Sequence, residues 1–318
     1  MSVNRTQVDR WKEDVRTSID FYNSWFMEFA PKAFRDTRNL TINSVADSII
    51  HTNNLLNISI DVLKSNPHIL PILRMCTCPP IARDRLIGLG DINPNLVKTM
   101  ELNSKLPKLL SPEKLEIELV KITKIIQHLL DPDIFTWVTA KTNPTENDIF
   151  RASSIIADRL CGSLSDPIIR NAQEKRQLTA IRLWLEQKGY VEYRSIPGSQ
   201  FTHLPAGTFS FRMNVPVFKD DKKTNMPIDI VIKPHNSDQE SFPLLFEAKS
   251  AGDVTNTNKR RKEEAIKMQQ LRHTYGENIS FNLFLCGYFD SGYLGYEASE
   301  GIDWVWEHRI DDLALFGI

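Results

Sequence analysis

Two short segments hold residues whose types and spacing can do chemistry together. One reads Pro227-Ile228-Asp229-Ile230-Val231-Ile232 and the other Phe246-Glu247-Ala248-Lys249. Both are short, apolar and rich in β-branched or aromatic residues, which predicts strands. Side chains alternate along a strand, so Glu247 and Lys249 share one face and Ala248 takes the other. If the two strands form a hairpin, Asp229 meets that pair across the ladder. Two convergent carboxylates suit Mg²⁺, a hard cation that takes oxygen ligands and keeps waters for a phosphate substrate. The Ala248 carbonyl offers a third ligand. Such a metal polarises a phosphoryl oxygen and makes an attacking water more acidic. Lys249 beside it orients that water or offsets charge in the transition state. Spacing alone leaves a second explanation open, because a D…E-x-K string also fits an ordinary surface hairpin.

A basic run follows: Asn256-Thr257-Asn258-Lys259-Arg260-Arg261-Lys262. Cations neutralise phosphates, and Arg and Asn bond base edges in the major groove, so Asn256, Asn258, Lys259, Arg260 and Arg261 are candidate DNA contacts. The alternative is a solvated helix face paired with Glu263 and Glu264. Arg83 and Arg85, in a turn-rich segment, are further DNA candidates; the alternative is a surface Arg–Asp pair of little consequence. His308 is better explained by packing or capping than by DNA contact. The lone Cys76-x-Cys78 has no second pair to complete a zinc site and fits ordinary thiols. No P-loop is present, so no nucleotide cofactor is expected.

The elements that must position these residues divide at about residue 165. Before it, apolar residues recur at three- and four-residue spacing over Val8–Phe29, Ile42–Leu63 and Pro112–Leu130, which predicts helices. Ser111-Pro112 supplies a cap and a first-turn proline for the last of these, and Asp131-Pro132 stops it. Prolines between residues 67 and 112 predict short helices joined by turns. Another helix is expected over 145–165, ending near Gly162. From residue 171 the order changes to a helix (Asn171–Lys188), several strands (190–193, 208–218, 228–232, 243–247), a charged helix (Asn258–Tyr275), a buried strand (Ile279–Cys286) and a last short strand (304–308). The expected fold is α/β: a helical N-terminal region, residues 1–165, for DNA binding or dimerisation, and a mixed-sheet catalytic core flanked by helices, residues 166–318.

Composition bounds the rest. The chain has 318 residues, enough for two domains, with 41% hydrophobic and 25% charged residues, which excludes a disordered chain. With 39 basic and 40 acidic residues the net charge is −1, so a globally basic coat is excluded while a local basic groove is not. No apolar run is long enough to span a bilayer, and the charged start lacks a signal-peptide core, so a cytoplasmic protein without a membrane partner is expected.

The P-I-D and E-A-K strings, with one residue between Pro227 and Asp229, resemble the motif of the PD-(D/E)XK nuclease superfamily. The element order also matches its helix, three-strand meander, helix, strand core. Over FEAKSAGDVTNTNKRRKEEAIKMQQLRHTYG, LCGYFDSGYLGYEASEGIDWVWEHRIDDL and PPIARDRLIGLGDINPNLV the chain is similar to the restriction endonuclease family typified by XamI, from about residue 40 onward. The resemblance implies a bacterial or archaeal homodimer that cleaves double-stranded DNA at a short palindrome with Mg²⁺, Mn²⁺ being able to substitute. It also implies a partner methyltransferase that protects host DNA. The family's type member reads GTCGAC; the target of this chain is left open. In the superfamily a Glu on the helix before the meander often points at the metal, which makes Glu174 a candidate extra acid; the alternative is a solvent-facing Glu near a helix start. The expected roles are therefore metal binding by Asp229, Glu247 and the Ala248 carbonyl, and catalysis by these carboxylates with Lys249 and Glu174. A repair or branched-DNA nuclease on the same core, and a non-catalytic binding module, are the other readings of the residues.

Overall fold

The computed structural model describes residues 2–194, 199–219, 222–238, 240–255 and 257–318, with residues 219 and 258–260 described by backbone alone. The chain forms two compact units, residues 1–29 with 170–318 and residues 30–169. The sequence division at 165 grouped the first 29 residues with the helical region; the structure groups them with the sheet.

The helical unit contains the later part of α1 (Val8–His51), then α2 (Ile60–Ser65), α3 (Leu70–Met75), α4 (Arg83–Gly90), α5 (Pro94–Asn103), α6 (Pro112–Leu129), α7 (Thr136–Ala140) and the first part of α8 (Glu146–Gln187). Its core includes Leu63, Leu73, Leu96, Ile122, Phe135 and Ile156. Ser111 caps α6 as expected, accepting from the Lys114 amide at 3.4 Å. Three expectations fail. The helix expected over Ile42–Leu63 is interrupted between His51 and Ile60, where Asn53, Asn54 and Leu55 have positive φ. Helix α1 runs unbroken through Pro31 instead of forming two helices, and α8 runs through Gly162 and Pro167 instead of stopping. A proline inside a helix removes one hydrogen bond. Good helix formers flank Pro31, namely Met27, Glu28, Ala30, Lys32 and Ala33; at Pro167 the helix continues although Ile168 and Ile169 are β-branched.

The other unit is built on one six-stranded sheet in the order β1-β2-β3-β4-β5-β6. These strands are β1 (Val191–Glu192), β2 (Thr208–Lys219), β3 (Lys222–Lys233), β4 (Leu244–Ala251), β5 (Phe281–Gly287) and β6 (Asp303–Trp306). Strands β2, β3 and β4 form an antiparallel meander; β1 is parallel to β2, and β4, β5 and β6 are parallel. Helix α9 (Thr257–Tyr275) makes the β4–β5 crossover and α10 (Ser291–Ser299) the β5–β6 crossover. This is the mixed-sheet α/β architecture expected, with α10 and a terminal 3₁₀ segment (Glu307–Phe316) added.

Each face of the sheet buries its own apolar layer. Ile181, Trp184 and Leu185 of α8 pack on Phe209, Ile230, Ile232 and Phe246. Met268 and Leu271 of α9, with Leu294 of α10, pack on Val215, Ile228, Leu245 and Leu283. The N-terminal segment is tied to the sheet by Asp303, which accepts from the amides of Val3, Asn4 and Arg5 at 2.6, 2.8 and 3.0 Å.

Along β2 and β3 the two layers exchange. Phe209 and Phe211 belong to the α8 side, but Met213, Val215 and Val217 belong to the α9 side. On β3, Met226 and Ile228 face α9, whereas Ile230 and Ile232 face α8. Regular alternation would keep each of these sets on one face. The exchange falls at Arg212, which has φ +52, and at Asp229, its position in the β2–β3 register. The strand pair therefore twists at the residue that carries the candidate acid.

Candidate active site

Strand β4 presents its motif as the alternation dictates. Leu245 and Ala251 pack on the α9 side, and Phe246 and Ala248 on the α8 side. Glu247 and Lys249 thus face α9. Glu247 is 7% exposed. Its Oε1 lies 3.2 Å from the Lys249 ammonium and 2.5 Å from that of Lys267. Its Oε2 is buried with no hydrogen-bond donor among the described residues.

Asp229 joins this group at the point where two strands separate. The β3–β4 ladder ends at Ile230↔Phe246. Leu245 donates to Ser280 and Ala251 accepts from Tyr288, so odd-numbered residues of β4 bond toward β5 and even-numbered ones toward β3. The next pair on the β3 side would be Ala248 with Ile228. Instead the Asp229 Oδ2 accepts the Ala248 amide hydrogen at 3.0 Å. The same alternation turns the Ala248 carbonyl toward the β3 side. Burial and the neighbouring Glu247 carboxylate push the Asp229 carboxyl up from 3.8 to about 6, against the Ala248 hydrogen bond and the two lysines.

Behind the motif stands a charged group that the sequence did not disclose. Glu264 of α9 is fully buried, and its Oε1 lies 3.0 Å from the Lys249 ammonium. Burial raises its carboxyl, and Lys249 opposes the shift. Burial lowers the Lys249 ammonium, but Glu247 and Glu264 together outweigh that and raise it. Glu297 of α10 is also fully buried; burial and then Glu264 lift its carboxyl to about 8, so it is protonated at neutral pH. The sequence placed Glu264 on a solvated face with the basic run. Its spacing to Met268 and Leu271 is the signal that was passed over, because positions i, i+4 and i+7 share the buried stripe.

This group fits a divalent cation. Asp229 and Glu247 supply two carboxylates beside the ammoniums of Lys249 and Lys267, and among the described residues Glu247 Oε2 is an orphaned buried acceptor, while Glu264 is taken up by Lys249. Among the described residues no three His, Cys, Asp or Glu side chains form a ready cage. Mg²⁺ does not need one, since it takes one or two carboxylates and completes its shell with water and phosphate oxygens.

The other candidates lie elsewhere. Glu174, in the middle of α8 and not at a helix start, is ion-paired at 2.6 Å with the exposed Arg212. The α8 residue that does reach the motif strand is Gln177, whose amide donates to the Lys249 and Phe284 carbonyls at 3.3 Å each. The Arg261 guanidinium covers the Tyr296 ring at 5.0 Å. Asn256 and the side chains of Asn258, Lys259 and Arg260 lie outside the described residues. Arg83 and Arg85 open α4 in the helical unit, and Arg83 stands 3.9 Å from Asp84. His308 is packed against Trp306, 3.9 Å from Asp14. No helix among the described residues is long and apolar enough to cross a membrane.

Residues 53–306 match the family model of the XamI restriction endonuclease. The type II restriction enzyme SalI of Streptomyces albus G is 49% identical over 317 residues, which cover 99% of each chain. No solved structure matches the chain. A family match over most of the sequence, together with near full-length similarity, establishes the relationship: the chain belongs to the XamI restriction endonuclease family, and its activity is that of a site-specific endonuclease.

Proposed function

We propose that this endonuclease is a type II enzyme that hydrolyses phosphodiesters of double-stranded DNA at a short palindrome with Mg²⁺, with Mn²⁺ able to substitute. Asp229, Glu247 and the Ala248 carbonyl hold the metal, and Lys249 assists the attacking water. The observation that carries this assignment is the meeting of Asp229 with the Glu247–Lys249 pair at the end of the β3–β4 ladder, in a chain of this family. When bound, the metal supplies a Lewis acid for a phosphoryl oxygen. The protein does the rest. Asp229, held by the Ala248 amide, and Glu247, held by two ammoniums on Oε1, present fixed oxygens. The Lys249 ammonium stands where it can orient water and offset developing negative charge.

Two-fold symmetry would match a palindrome, so the working form is a homodimer with one active site per strand. The helical region, 1–165 in the sequence division and 30–169 as a compact unit, wraps DNA or supports the dimer. The start of α9 at Asn258–Arg261, the preceding Asn256, and Arg83 and Arg85 contact DNA, while Glu174, paired with Arg212, would serve as an extra acid only on leaving that partner. The enzyme works in the cytoplasm beside a DNA methyltransferase that protects the host genome. Digestion of a fully sequenced phage genome with Mg²⁺ tests this function. Discrete fragments whose ends share one short symmetric sequence are expected. Cutting confined to damaged or branched DNA would overturn it in favour of a repair nuclease.

A further inference from the structure

Helix α9 grips both charged residues of the β4 motif. Glu264 and Lys267, one turn apart, face Lys249 and Glu247 respectively, at 3.0 and 2.5 Å. The result is an alternating chain of charges: Glu264, Lys249, Glu247, Lys267. Lys249 carries its ammonium on a flexible four-carbon stem and needs an anchor to hold one position. Glu247 is a weak anchor for that purpose, because a divalent ion on the same carboxylate would compete for its charge. Glu264 has no such competitor. It is fully buried, and its ion-pair partner among the described residues is Lys249. For folding alone, an apolar side chain of similar volume would serve as well or better, since burying an ion pair is costly. The pair makes sense as a device for aiming the ammonium.

We propose that Glu264 is a positioning residue that fixes the Lys249 ammonium for cleavage. This rests on the nuclease function proposed above. The test is a double-mutant cycle of Glu264→Gln and Lys249→Met in the full-length protein. Three readouts are followed: single-turnover cleavage of one cognate duplex with Mg²⁺, affinity for that duplex with Ca²⁺, and the denaturation midpoint without metal. Glu264→Gln is expected to slow cleavage by on the order of tenfold or more, as loss of a group that aligns a charged stabiliser should. Duplex affinity should stay within about twofold. Its effect on the denaturation midpoint should largely vanish on the Lys249→Met background, because the partner it strands is gone. If Glu264→Gln fails to fold, restoration of folding by Lys249→Met supports the coupling, and failure of that restoration overturns it. Cleavage by Glu264→Gln within twofold of the parent, while Lys249→Met is inactive, would overturn the inference and leave the nuclease function standing. Equal losses of affinity and rate in Glu264→Gln would also overturn it. Normal cleavage by Lys249→Met would instead remove the proposed role of Lys249 itself.

Discussion

The Asp229 carboxylate takes the Ala248 amide hydrogen at 3.0 Å, where continued pairing of β3 and β4 would have used the backbone of Ile228. One side chain thus closes a gap between two strands and brings the acid to the motif. The layer exchange at Arg212 and Asp229 opens that gap, and backbone distortions of this kind gather at functional sites.

The first expected consequence concerns stability. The Asp229 carboxyl rises from 3.8 to about 6 on folding, so between those values the folded protein holds a proton that the unfolded chain has released. Stability therefore falls as pH rises through that window. Above it the charged group costs the metal-free fold about 3 kcal/mol, at 1.36 kcal/mol per unit. Asp229→Asn keeps an acceptor for the Ala248 amide and removes the charge. In metal-free protein it should exceed the parent in stability by on the order of 2–3 kcal/mol at about pH 8, and match it near pH 4. Urea titrations at the two pH values check this; a difference that does not change with pH would contradict it.

A second prediction separates binding from chemistry. Lys249→Ala should keep most duplex affinity at fixed metal and lose cleavage by about 10²-fold or more. Gel-shift titration and a single-turnover rate on one duplex measure both. Equal losses would make Lys249 a binding contact only.

The basic start of α9 gives a third. If Lys259 and Arg260 contact phosphates, replacing both by Ala should weaken binding to every duplex and lower the slope of log K against log salt by about 0.9 per contact. Arg261 belongs in a separate variant, because its guanidinium also packs on Tyr296. Unchanged binding across salt would return Lys259 and Arg260 to a solvated face.

Much of this fold was legible in the sequence. The alternation around Glu247 and Lys249 placed both on one face, and the capped, proline-started α6 ended within a residue of its expected stop. What escaped has physical causes. The sequence predicts helix ends at Phe29 and near Gly162, yet both helices continue, through Pro31 and Pro167. The exchange of faces at Arg212 needs a positive φ at a residue that is neither glycine nor asparagine, which no local pattern signals. Glu264 was hidden because charged residues are almost never fully buried unless paired, and its partner, Lys249, lies on another element.

The most direct test of the active site is Glu247→Ala. Glu247 Oε2 is a buried acceptor without a donor among the described residues, so under the proposed function its loss removes a metal ligand; it also frees the Lys249 and Lys267 ammoniums, which is why stability is recorded beside cleavage. The measurement is single-turnover cleavage of a cognate duplex with saturating Mg²⁺, on protein whose denaturation curve and Ca²⁺-supported duplex affinity have been recorded. The expected result is a folded protein that still binds the duplex and does not cut it. Cleavage near the parent rate would contradict the assignment of Asp229, Glu247 and Lys249 as the nuclease centre.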